Sequence, residues 1–90
     1  MDEPILTIVA AAVRLPDGLV CSLPRPARHF NVIRSLASHG IDQQGNHEQG
    51  FLLSDGRFCR RTPARMVAEK AGQILPTAGQ TKELFSEDVW

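Results

Sequence analysis

One phrase occurs almost twice in this chain. LPDGLVCSLPRPAR, residues 15–28, is echoed thirty-eight positions later by LSDGRFCRRTPAR, residues 53–65. Leu15 corresponds to Leu53, Asp17-Gly18 to Asp55-Gly56, and Cys21 to Cys59; after a one-residue deletion, Pro26-Ala27-Arg28 corresponds to Pro63-Ala64-Arg65. Ninety residues have room for one domain, so the echo describes two copies of a supersecondary unit inside it. In each copy an apolar segment enters an Asp-Gly turn, where glycine supplies the positive φ. A short segment then returns, and proline, which lacks the amide hydrogen a first helical turn does not need, opens a helix. The expected fold is α+β: two ββα units with pseudo-two-fold symmetry, forming a four-stranded antiparallel sheet with two helices on one face. Pairing the two hairpins, within one chain or across a dimer, would protect the edge strands.

The segment ILTIVAAAVRL, residues 5–15, reads as the first strand, apolar on both faces. PRPAR is expected to start the first helix at Pro24 and Pro26. Its body, Ala27 to His39, would set Phe30, Ile33 and Ala37 in one stripe with Val32 and Leu36 beside it, and Gly40 would close it. Residues 41–50 read as a polar loop. Thr62 is expected as N-cap and Pro63 as first residue of a second helix that buries Met66, Val67, Ala71 and Ile74, with Gly72 inside its last turn. Residues 1–77 then make the ββα-ββα core domain and residues 78–90 an acidic, aromatic C-terminal tail.

The net charge is zero and the sequence pI about 6.8, which argues against non-specific nucleic-acid or membrane-surface binding. The balance is uneven along the chain. Arginines are dense between Arg25 and Arg65, where the acids are Asp42, Glu48 and Asp55, whereas MDEP and ELFSEDVW carry acids at the ends. No apolar run reaches membrane-spanning length, and an acidic start opposes a secretory signal. Cys21 and Cys59 make no disulfide framework and, with His29, His39 and His47, show no metal-ligand spacing. The chain therefore reads as cytoplasmic, with no metal and no cofactor, and its cysteines as small hydrophobes.

The arginines carry the sharpest chemical hint. Arg25, Arg28 and His29 cluster at one expected helix start, and Arg60, Arg61 and Arg65 at the other. A helix N-terminus already bears partial positive charge, so cations there call for a negative group to join them. That group is either an external anion or the tail acids Glu83, Glu87 and Asp88. Arg57 beside Phe58 is a second candidate: if Phe58 faces the core, Arg57 faces the open side of the sheet, where it could clamp a phosphate. The candidate ligand-binding set is Arg25, Arg28, His29, Arg57, Phe58, Arg61 and Gln73. Leu84, Phe85, Val89 and Trp90 of the tail need a place to dock, on this domain, on a dimer mate, or on a partner; Leu84, Phe85 and Trp90 are the candidate partner-binding residues.

The strand ending in AAAV, with PRPARH, EQGF, GRF, AGQI and the final LFSED-W, resembles small proteins encoded by bacteriophages and prophages, over Ile8 to Trp90. The resemblance implies the cytoplasm of an infected or lysogenic bacterium and an accessory role exercised by binding rather than catalysis. Cys59 and Arg60 depart from the pattern beside GRF. Two functions are expected from different classes. One is a non-enzymatic homo-oligomeric protein that captures an anionic, nucleotide-like molecule in counter-defence. The other is a protein-binding inhibitor of a host immune complex, in the manner of an anti-CRISPR. An enzyme with His29 as general base lacks a nameable second catalytic partner.

Overall fold

The structure, a computed structural model, describes residues 5–41 and 47–90. Asp2 and Glu3 of MDEP, and residues 42–46 of the polar loop, lie outside the described residues. The chain runs β1 (Ile8–Arg14), β2 (Val20–Pro24), α1 (His29–Ser38), β3 (Glu48–Leu53), β4 (Phe58–Arg60), α2 (Arg61–Lys70), and ends in a 3₁₀ turn at Ser86–Asp88. The four strands form one antiparallel sheet in the order β2-β1-β3-β4. The fold is α+β, and the two hairpins pair within a single chain through their first strands.

The offset of the sequence echo is also the offset of the pairing. Val13 lies opposite Cys21, and Phe51 lies opposite Cys59. At the join between the copies, Ala12 lies opposite Gly50; these are equivalent positions, so the axis relating the copies passes through that pair. The turns match in detail. Gly18 and Gly56 have φ of 92° and 89°, and Asp17 and Asp55 each accept from the backbone amide two residues on, at 3.0 and 3.1 Å.

Strand alternation puts Val13 and Phe51 on one face, and both helices pack there. Val13 and Leu15 meet Val32 and Leu36 of α1; Ile8, Phe51 and Leu53 meet Ala64 and Ala68 of α2. Leu84 and Val89 of the tail complete the second cluster, with Trp90 against it. Burying Leu84 fully contributes about 2 kcal/mol, a real addition for a chain this small.

Both helix starts differ from expectation. Pro24 ends β2, and the chain turns through Arg25 and Pro26 before α1 begins at His29. A residue before proline is held extended, so Leu23-Pro24-Arg25-Pro26 cannot open a helix. The cap is local: Arg28, in extended backbone, donates its amide to Asn31 Oδ1 at 2.8 Å. Starting there turns His29, Val32 and Leu36 inward and leaves Phe30 62% exposed and Ala37 exposed, against the expected stripe. β4 runs straight into α2, with Arg60 rather than Thr62 at the cap position. Ala64, Arg65 and Ala68 are its buried residues, and Met66 is 71% exposed rather than buried. Gly72 lies beyond the helix end, at φ 70°, not in its last turn. The expected loop over 41–50 is also shorter, because Glu48, Gln49 and Gly50 already belong to β3.

Candidate functional site

The starts of α1 and α2, strand β3 and the tail enclose a cleft of about 300 Å³. Arg28, His29, Phe30 and Ile33 line it from the α1 side, Gln49 from β3, Arg61 from the start of α2, and Phe85, Ser86 and Glu87 from the tail.

His29 Nε2 lies 2.6 Å from the Gly50 carbonyl. A carbonyl only accepts, so Nε2 carries the proton and, in the neutral ring, Nδ1 is the acceptor. The ring stands edge-on to Phe51, with centroids 4.9 Å apart. Burial lowers the His29 pKa below its ordinary 6.5; the Gly50 hydrogen bond opposes that, the Arg61 charge reinforces it, and Glu87 opposes it. His29 is therefore a neutral, polar wall near pH 7.

Arg61 is held on several sides. Its guanidinium lies 4.6 Å from the Phe85 ring centroid and donates to Gln49 Oε1 and, at 3.4 Å, to the Leu84 carbonyl. Burial lowers its pKa while Glu83, Glu87 and Asp88 raise it; a guanidinium so placed remains a cation. Arg28 donates to the Trp90 carbonyl at 2.8 Å, and Trp90 Nε1 donates to the Ala27 carbonyl at 3.0 Å. Arg65 lies inside the protein, its Nε 3.2 Å from Glu69 Oε1 and its Nη1 3.6 Å from Asp88 Oδ2.

The crowding of arginine at helix starts thus has a partner in the chain itself: Arg28, Arg61 and Arg65 each grip the tail. Arg28 and Arg65 are equivalent in the two copies, so one sequence position serves the same end twice. Of the sequence-predicted ligand-binding residues, the cleft gathers Arg28, His29 and Arg61. Arg25 is exposed in the turn before α1. Arg57 pairs with Asp55 at 2.5 Å in the β3–β4 turn. Gln73 is a structural clamp: its Oε1 accepts from the Ile8 amide at 2.7 Å and its Nε2 donates to the Ile8 carbonyl at 3.0 Å. Phe58 faces away from the core, because its neighbour Cys59 packs against the α2 cluster; the arginine stacked on it is Arg14, at 4.8 Å, not Arg57. Of the tail residues, Leu84 is buried in the core, Phe85 is half-buried under Arg61, and Trp90 is half-buried against Ala27. Gln49 went unnoticed in the sequence, although its parity with Phe51 places it on the helix face.

Residues 7–90 match the family described as phage T4 y16D protein. The chain belongs to that family. No curated protein and no solved structure matches it. The family description states a phage origin, in keeping with the resemblance read from the sequence, and states no activity. Among the described residues, no helix is long and apolar enough to cross a membrane.

Proposed function

We propose that this phage protein acts by binding rather than catalysis, and that its cleft captures a small anionic, nucleotide-like molecule of the host. One observation carries the reading: guanidinium groups from both helix starts, those of Arg28 and Arg61, reach a single cleft. Each keeps N–H groups beyond those given to the tail, since a guanidinium offers five. Phe30 and Phe85 supply flat apolar walls for a ring, and neutral His29 supplies a polar contact without a competing charge. The volume is at the small end for ligand sites, which suits a mononucleotide-sized group better than a larger cofactor. Withdrawing a signalling nucleotide from a host defence pathway is the role such a phage protein would serve in the bacterial cytoplasm, as a homo-oligomer or alone.

Calorimetry against a panel of mono- and dinucleotides tests it. A charge-assisted contact contributes about 1.5–3 kcal/mol, so truncating Arg61 to alanine should weaken binding about tenfold or more. Absence of heat with every nucleotide would remove the reading.

A second reading, inhibition of a host protein complex, is favoured by Phe30, which stands 62% exposed at the cleft rim. It relocates the contact from the tail, whose Leu84 is in the core, to the start of α1. Co-purification of a host protein that Phe30→Ser abolishes would establish it.

A further inference from the structure

The sheet has a second face, opposite the helices, and its two halves are unlike. On the β3–β4 half, the Phe58 ring lies over Gly50: a Cβ built on Gly50 would sit 2.6 Å from Phe58 Cζ. The Arg14 guanidinium lies over the ring, 4.8 Å from its centroid, with its side chain 34% exposed. Glu48 ties this stack to a second arginine, with Arg14 at 2.9 Å and Arg60 at 2.8 Å. The Arg60 side chain is 68% exposed.

The repeat supplies an internal control. Under the offset of thirty-eight, Phe58 corresponds to Val20, Gly50 to Ala12, Arg60 to Ser22, Glu48 to Ala10, and Arg14 to Leu52. The equivalent half of the face is thus made of small or aliphatic residues and one serine, on the same pairing register. The fold does not require an aromatic–arginine cluster there, since its own other half lacks one. Glycine in a central strand is unfavourable relative to alanine, and here it leaves the room that the Phe58 ring occupies.

We infer that this half-face is a binding site for single-stranded nucleic acid. A base stacks on the outer plane of the Arg14 guanidinium, itself stacked on Phe58, and the adjoining phosphate meets Arg60. Sheet faces bearing an aromatic and arginines suit unstacked bases, whose flat surfaces and single phosphates they match. Charge complementarity is local: two guanidiniums against one carboxylate. With no net charge on the chain, long-range attraction is absent and stacking supplies the affinity. Duplex DNA, with its bases already stacked, is not a ligand. The inference is independent of the cleft, which lies on the helix face.

Fluorescence anisotropy of labelled single-stranded DNA and RNA oligonucleotides of one sequence, titrated with the full chain, tests it. Binding of either strand is expected, with a slope of log affinity against log salt of about −0.7, the value for one phosphate on a single strand. Phe58→Val, the residue of the other copy, should weaken binding about tenfold. Arg60→Ala, at an exposed position, should weaken it severalfold and flatten the salt slope; it decides the matter if Phe58→Val misfolds by circular dichroism. Arg34→Ala, an exposed arginine on α1, should leave the affinity unchanged. No binding of either strand, equal loss in Arg34→Ala and Arg60→Ala, or tighter binding of duplex DNA would each overturn the proposal.

Discussion

Replacing Asp88 with alanine tests how the tail is secured. Asp88 is buried, with its Oδ2 3.6 Å from Arg65 Nη1 and accepting from the Phe85 amide at 2.9 Å. The Arg65 side chain is only 9% exposed, and among the described residues its Nη1 has no hydrogen-bond partner. Removing one member of a buried ion pair costs about 3–5 kcal/mol, because the other charge is left stranded. The loss here should lie near the lower end, because Glu69 still faces Arg65 Nε at 3.2 Å and the Asp88 contact is long. Losing the Phe85 amide bond adds about 1 kcal/mol. The expected cost is therefore about 3–4 kcal/mol, a large share of the roughly 5–13 kcal/mol typical of a chain this size. Urea unfolding followed by Trp90, the single tryptophan, and by far-ultraviolet circular dichroism measures it from both ends of the structure. Arg65→Met combined with Asp88→Leu should recover most of the loss, since an apolar pair replaces a buried ionic one without a stranded charge. A cost below about 1 kcal/mol for Asp88→Ala would refute the reasoning, and would mean that the apolar contacts of Leu84 and Val89 and the bonds from Arg28 and Arg61 hold the tail without the Arg65–Asp88 pair.

Two further outcomes follow from the same geometry. Because burial lowers the His29 pKa in the folded chain below its ordinary 6.5, the unfolded chain binds the extra proton more readily. The His29 contribution should be fully present above pH 6.5, decline as pH falls through the window between 6.5 and the lowered folded value, and level off below it; His29→Phe should remove that segment of the stability–pH curve measured by thermal unfolding. Gly50→Ala should cost about 1–3 kcal/mol by overpacking, since its Cβ would meet the Phe58 ring and the Cys59 carbonyl; adding Phe58→Val should return part of it in urea titrations, and no recovery would place the strain wholly at the backbone.

The repeat made the architecture legible, because an Asp-Gly turn between apolar segments, followed by proline, has few structural solutions. Both hairpin registers and the central Ala12–Gly50 pairing are consistent with one offset read from the letters alone. The helix starts were less legible. Proline suits a first helical turn, but it also holds the residue before it extended, and alternating prolines at 24 and 26 let the second effect prevail. That error moved the buried stripe of α1 and hid His29 as a core residue. The letters alone leave the facing of Phe58 conditional: parity along β4 sets it opposite to Cys59, and only the packing of Cys59 against the α2 cluster decides that Phe58 faces outward. The tail acids were visible as one possible counter-charge. That Asp88 would go to Arg65 inside the protein required knowing that α2 begins at Arg61, without a turn before it.

The cleft arises from the places where the two copies fail to match. In the second copy β4 passes directly into α2, so Arg61 stands at the very end of the sheet, beside Gln49. In the first copy the proline turn delays α1 until His29. An exact repeat would start both helices at the same point, with no spare length of chain on one side. The delay instead leaves space over Gln49 between the two helix starts, and the tail occupies only part of it, Leu84 and Val89 reaching the core while Phe85 and Glu87 form the wall of what remains. Gripping the tail is then what places one wall of the cleft. A molecule bound beside Arg28 and Arg61 would share its contacts with the tail, and by linkage would stabilise the docked tail as much as the docked tail stabilises it.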